Sequence, residues 1–136
     1  MTPRAHVDAN VILRYLVGEP EHLAERAASL FRRAEMGEIT LVAESITIAE
    51  VVWTLSSFYK RLPGEIAPVI RGLLLLEGVD APERATLLAA LCHYEIDRVS
   101  FGDALLAARM EAGGSDRVYS FDRHFDRLPG IRRIEP

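Results

Sequence analysis

The chain has 136 residues, 49% hydrophobic and 26% charged, with a formal net charge of −4, which is the size and composition of one ordinary globular domain with enough apolar content for a core. The negative balance speaks against a simple basic nucleic-acid binder. A single cysteine, Cys92, excludes an internal disulfide; no apolar run reaches the roughly 18 residues of a membrane span; and Met1-Thr2-Pro3-Arg4 lacks the apolar core of a signal peptide, so a reducing cytoplasm is the expected setting. Lys60 is the only lysine among 16 basic residues. That excess of arginine is better explained by a GC-rich genome than by selection for phosphate contacts.

The first segment, Ala5-His6-Val7, ends on Asp8. Asn10 follows, and then apolar residues at helical spacing (Val11, Ile12, Tyr15, Leu16). This predicts a buried strand, a turn and a helix. A second helix is predicted over 20–37, with Leu23, Ala27, Leu30, Phe31 and Ala34 on one face and a charged outer face. The β-branched run at 39–43 predicts a second strand, and Ser45 or Thr47 starts a third helix reaching about Tyr59. After Leu62-Pro63-Gly64 a helix is predicted over 65–77, with Pro68 in its first turn. Its run Leu73 to Leu76 cannot share one face, since successive positions turn by about 100°, so the helix is either buried on several sides or meets a partner chain, the second being favoured slightly.

Gly78-Val79-Asp80 predicts a short third strand, and 82–95 a further helix. Ser100-Phe101-Gly102-Asp103 heads the next helix, which Gly113-Gly114 ends. A strand at 117–121, a turn through Asp122 and an edge strand at 131–134 complete the chain. Strands alternating with helices predict a three-layer α/β fold with a short, mostly parallel sheet. No repeat, low-complexity segment or linker interrupts residues 1–136, so a single domain is expected.

Four carboxylates fall at predicted helix starts. Asp8 and Asp122 directly follow strands, while Thr47-x-x-Glu50 and Ser100-x-x-Asp103 fit the capping-box pattern. Each alone also reads as an ordinary helix cap. Glu50 has Ile46 and Trp53 as helical neighbours, which places its carboxylate on an apolar face, where burial without a partner is costly. In a parallel α/β sheet the helix starts gather at the edge where ligands bind, so the cap and site readings are compatible. Carboxylates crowded there repel one another unless a hard cation is present. Mg²⁺ takes oxygen ligands and phosphate, and two such ions about 4 Å apart would stabilise both the attacking and the leaving oxygen of a phosphodiester displacement.

Other residues are weaker candidates. Asp126 lies four positions after Asp122 and shares its face if that turn is helical. Arg14, Arg123, His124 and Arg127 are placed to hold a nucleic-acid backbone, although any one of them alone is more often solvated surface. Glu44 rivals Glu50 but sits in a turn. His6, His22, His93 and His124 show no zinc-ligand spacing with each other or with Cys92, and the adjacent Cys92 and His93 point apart on a helix. There is no phosphate-binding glycine loop, nucleophile elbow or dinucleotide fingerprint.

Taken together, Val7-Asp8-Ala9-Asn10-Val11, Ile48-Ala49-Glu50, Asp103-Ala104-Leu105 and Tyr119-Ser120-Phe121-Asp122-Arg123-His124-Phe125, followed by Leu128-Pro129-Gly130, resemble the PIN-domain family, and within it the VapC-type ribonuclease toxins of toxin–antitoxin pairs. The segments span nearly the whole chain. Each is short, and their order and spacing carry the resemblance. It implies a PIN-like α/β/α sandwich and Mg²⁺- or Mn²⁺-dependent cleavage of RNA. It carries the acidic metal-site role to Asp8, Glu50, Asp103 and Asp122, a less regular acidic position to Asp126, and supporting polar positions to Asn10 and Ser120. It also implies a homodimer and a small VapB-type antitoxin, with the Leu-rich helix fitting one of those contacts. Two other classes stay open: an inactive PIN-like module that binds RNA or a protein, and a metal-dependent DNA nuclease or phosphatase using the same ligands.

Overall fold

The computed structural model describes residues 2–136. Among them lie six α-helices and short strands, all paired in parallel, the helix-rich α/β architecture expected. The strands hydrogen-bond as two small sheets. The chain divides into two compact units, one ending at Arg84 and the other running from Ala85 to Pro136.

The first unit begins with β1 (Arg4–His6), α1 (Ala9–Val17) and α2 (Glu21–Glu35), followed by β2 (Thr40–Val42), α3 (Ser45–Ser57), α4 (Pro63–Leu74) and β3 (Val79–Asp80). The sheet order is β1-β2-β3, with Ala5 opposite Leu41 and Leu41 opposite Val79. The core forms where the apolar helix faces meet this sheet: Ile12, Phe31, Leu41, Ile48, Leu55, Ile66, Ile70 and Leu74 are all essentially inaccessible. Each large side chain so buried stabilises the fold by about 1.5–3 kcal/mol. Tyr15 of α1 stacks on Phe31 of α2, with ring centroids 4.2 Å apart and planes 18° apart.

Four expectations change here. The strand predicted as buried, β1, is exposed at all its residues; it is an edge strand, and only Val7 just beyond it enters the core. The helix over 45–57 starts at Ser45 with Glu44 as its N-cap, so Thr47 already lies inside the first turn and does not form a capping box with Glu50. The leucine run is divided by the end of α4. Leu73 and Leu74 are buried, whereas Leu75 follows the last helical residue and is 63% exposed. That helix also starts earlier than predicted, with the Glu65 carboxylate accepting the Leu62 N–H at 2.9 Å and Pro68 well inside it.

The second unit holds most of α5 (Arg84–Cys92), a π-helical turn His93–Asp97, α6 (Phe101–Ala112), β4 (Arg117–Tyr119), a 3-10 turn Arg123–Arg127 and β5 (Arg132–Ile134). β4 and β5 pair in parallel, with Val118 opposite Arg133. Tyr94 meets Phe101 edge to face at 5.7 Å. The predicted helix 82–95 loses its regular pitch at His93. There the ring Nδ1 pairs with Asp97 at 2.8 Å, while Nε2 meets the Glu111 carboxylate of α6. Burial opposes charging of His93, but the hydrogen bonds and charge of Asp97 and Glu111 outweigh it, and its pKa is raised above 6.5. In its protonated form the histidine therefore clamps the π turn to α6. Its stabilisation is full below pH 6.5 and is lost as pH rises through the raised folded-state value. The wild-type urea midpoint should fall between about pH 6 and pH 9, and His93→Gln should flatten that fall; an equal slope in both proteins would remove the clamp.

Candidate functional site

Asp8 caps α1, its Oδ1 accepting the Val11 N–H at 3.0 Å. The cap orients the carboxylate and leaves its second oxygen for a ligand. Asp8, Asn10 and Glu50 line one pocket of about 360 Å³, with Ala9, Leu13, Trp53 and Thr54 completing it. Glu50 is exposed rather than buried. Its helix turns Ile48, Val51, Val52 and Leu55 into the core and leaves Ile46, Glu50 and Trp53 outward, Ile46 at 61% and Trp53 at 46% exposure. The Glu50 side chain has no hydrogen bond or ion pair with any described residue. Thr54 donates its hydroxyl to the Glu50 carbonyl at 2.8 Å, and Ser57 donates to the Trp53 carbonyl at 2.6 Å. The rival, Glu44, pairs with His6 at 3.1 Å.

In the second unit, Ser100 caps α6 by accepting the Asp103 N–H at 3.2 Å. The Asp103 side chain is half-buried and has no hydrogen-bonded partner among the described residues. Ser120 Oγ accepts the Asp122 N–H at 2.9 Å, and Asp122 Oδ1 accepts the His124 N–H at 2.8 Å. Asp122 thus caps the 3-10 turn while its own backbone is held by Ser120. His124 Nδ1 also lies 3.2 Å from Asp122 Oδ1. Asp126 does not share that role: Arg133 grips both of its oxygens, at 3.1 and 3.4 Å, so this carboxylate is held as an ion pair between the 3-10 turn and β5.

The basic candidates also separate. Arg14 donates to the Glu19 carbonyl at 3.1 Å, and Arg127 to the Arg98 carbonyl at 2.7 Å. Arg123 is exposed. Asn10 also lines a larger groove of about 680 Å³ between α1 and α2, whose walls include Arg14, Arg26 and Arg33. Sequence reasoning did not find this groove, because its arginines are dispersed through an ordinary-looking charged helix face. Nor does it place Trp53 in the acidic pocket; the i, i+3 spacing from Glu50 is the available signal, and the same spacing fits a buried face.

Within each unit, no group of three or more described His, Cys, Asp or Glu side chains is gathered closely enough to hold a metal ion. What the first unit offers is a pair of carboxylates beside a side-chain amide and a threonine, all hard oxygen chemistry and no soft ligand. That donor set suits a divalent cation of the Mg²⁺ type, which keeps several waters and needs only one or two protein carboxylates. No described helix is long and apolar enough to cross a membrane. The model of the PIN domain family matches residues 5–131, a span containing Asp8, Glu50, Asp103 and Asp122. No curated protein matches the chain.

Proposed function

We propose, from the premise that this chain belongs to the PIN domain family, that it is a divalent-metal-dependent endoribonuclease of the VapC toxin type. PIN domains are generally metal-dependent nucleases; RNA as the substrate and the toxin role are our reading. The observation that carries it is the convergence of Asp8 and Glu50, from separate elements, on one pocket, with the Glu50 carboxylate unpaired among the described residues. Two carboxylates on one pocket offer a divalent cation more than one charged oxygen ligand.

In this reading Asp8 and Glu50 hold the ion, Mg²⁺ or in its place Mn²⁺. The resemblance assigns Asp103 and Asp122 the same acidic role, with Asn10 and Ser120 in support. A divalent ion supplies positive charge at the scissile phosphate and lowers the pKa of water. The remaining work belongs to side chains. The Asp8 cap and the Ser120–Asp122–His124 hydrogen bonds hold carboxylates in fixed orientations before substrate arrives. Arg14, Arg123 and His124 are the proposed contacts to the RNA backbone. Hydrolysis joins the oxygen of water to phosphorus and breaks the bond to O3′, releasing a 5′-phosphate and a 3′-hydroxyl. The toxin reading brings with it a homodimer and a VapB-type antitoxin, and the exposed Leu75 beside the buried end of α4 is an apolar contact open to either. A monomeric mass at high concentration would remove the dimer.

A substrate panel tests the reading: RNA, single-stranded DNA and a phosphate monoester, each with Mg²⁺, Mn²⁺ or EDTA. Cleavage of RNA alone, abolished by EDTA, is the expected result. Cleavage of DNA or of the monoester instead would move the assignment to the other hydrolase classes, and no cleavage of any substrate would favour a binding module. Metal binding has a readout independent of activity. An ion at about ten times its Kd stabilises the folded state by about 1.4 kcal/mol, which should raise Tm by about 4–8 °C in a chain of this length. Glu50→Gln should abolish that rise; an equal rise in the variant would place the ion elsewhere.

A further inference from the structure

The geometry points to Trp53 as a stacking platform for an unpaired nucleobase of single-stranded RNA beside the acidic pocket, an inference that rests on the ribonuclease reading. Trp53 is the chain's only tryptophan. Its indole lines the same pocket as Asp8 and Glu50 and remains 46% exposed. The core does not require it there: Val51, Val52 and Leu55 of the same helix are at most 1% exposed and supply the buried face. Keeping so large an aromatic surface half in water forgoes part of the stabilisation that burial would bring.

Charge explains why a stacking group belongs at this place. Until a cation joins them, two carboxylates walling a pocket repel a polyanion, so in the metal-free protein the phosphates alone do not hold substrate there. An aromatic face attracts a base without regard to that charge, and every base has such a face. Cations for the flanking phosphates lie in the neighbouring groove, which shares Asn10 with the acidic pocket and carries Arg14 and Arg26, while its Arg33 is paired with Glu38 at 3.2 Å. In a duplex the base faces are already stacked and the edges paired, so this platform selects single strands, loops and ends. Ser57, which donates to the Trp53 carbonyl at 2.6 Å, fixes the backbone that carries the indole.

Because the tryptophan is unique, its fluorescence reports the contact directly. Wild-type protein in EDTA is titrated with a single-stranded uridine or adenosine decamer, an abasic decamer of the same charge, and an RNA duplex. Quenching by the base-containing single strands but not by the abasic strand or the duplex is expected. Binding of 5′-labelled decamer, followed by anisotropy, should weaken about 5- to 150-fold in Trp53→Ala, the range for losing one stacked base. Trp53→Phe, which keeps an aromatic face, should recover most of the affinity, and circular dichroism of both variants checks the fold. Equal binding of the abasic strand, or unchanged affinity in Trp53→Ala, overturns the stacking role while wild-type cleavage of RNA leaves the nuclease reading standing. A wild-type protein that neither cleaves nor binds any RNA overturns both.

Discussion

Asp8→Asn should lose at least about 100-fold in metal-dependent cleavage, since removing one acidic ligand forfeits several kcal/mol of charge stabilisation at the phosphate, while its folding stability stays within about 0.5 kcal/mol of wild type. The two halves of that expectation have different origins. The Oδ1 of Asp8 accepts the Val11 N–H at 3.0 Å and so closes the start of α1. Asparagine offers an oxygen in the same place and caps a helix about as well as aspartate. What it lacks is the charge. Asp8→Ala would lose both roles, with a stability cost of about 1 kcal/mol from the missing cap. Assays of cleavage and urea denaturation on the two variants separate site from scaffold. If Asp8→Asn cleaves at the wild-type rate, Asp8 is a helix cap and nothing more.

Gly78→Ala should be among the most damaging single substitutions to the fold, at about 2–5 kcal/mol from a left-handed residue and forced overpacking together. Gly78 has φ of +82°, and a Cβ built on it would lie 2.2 Å from the Ala34 carbonyl oxygen of α2. The obstruction is backbone, so no side chain can swing aside. Gly78 cannot easily retreat, because its own carbonyl accepts the Leu41 N–H at 2.8 Å and so joins the start of β3 to β2. Gly37 is the control. It has a similar φ of +81° with nothing within 4 Å of its Cβ position, so Gly37→Ala should show only the left-handed cost of about 1–2 kcal/mol. Urea denaturation of both variants measures the difference. Equal losses at the two positions would show that the approach of Ala34 relaxes without cost.

The alternation of strands and helices, and most of the helices themselves, were legible from hydrophobic spacing and from the stop signal Gly113-Gly114, because these depend on contacts a few residues apart. The caps of Asp8, Ser100 and Asp122 were readable for the same reason: each side chain bonds a backbone N–H two or three positions away. Local pattern misled at Glu50. Thr47-x-x-Glu50 has the form of a capping box, yet the backbone turns helical at Ser45, and which residue opens a helix depends on how the preceding strand delivers the chain. The apolar neighbours Ile46 and Trp53 suggested a buried face. Burial of a helix face is decided by what packs on it, and the face that enters the core carries Ile48, Val51, Val52 and Leu55 instead.

The sequence by itself determined the α/β pattern, the helix caps and the presence of an acidic set, since each rests on short-range hydrogen bonds and periodicity. Only the tertiary structure decided how those carboxylates are used: Asp8 with Glu50 in one pocket, 42 residues apart in the chain, and Asp126 taken by Arg133. It alone decided that Glu111 would meet His93 on the side opposite Asp97, the near neighbour four positions on. The physical reason is range. A charged side chain's partner is whichever opposite charge or donor the packing of distant segments brings within about 3 Å, and no spacing along the chain encodes that meeting.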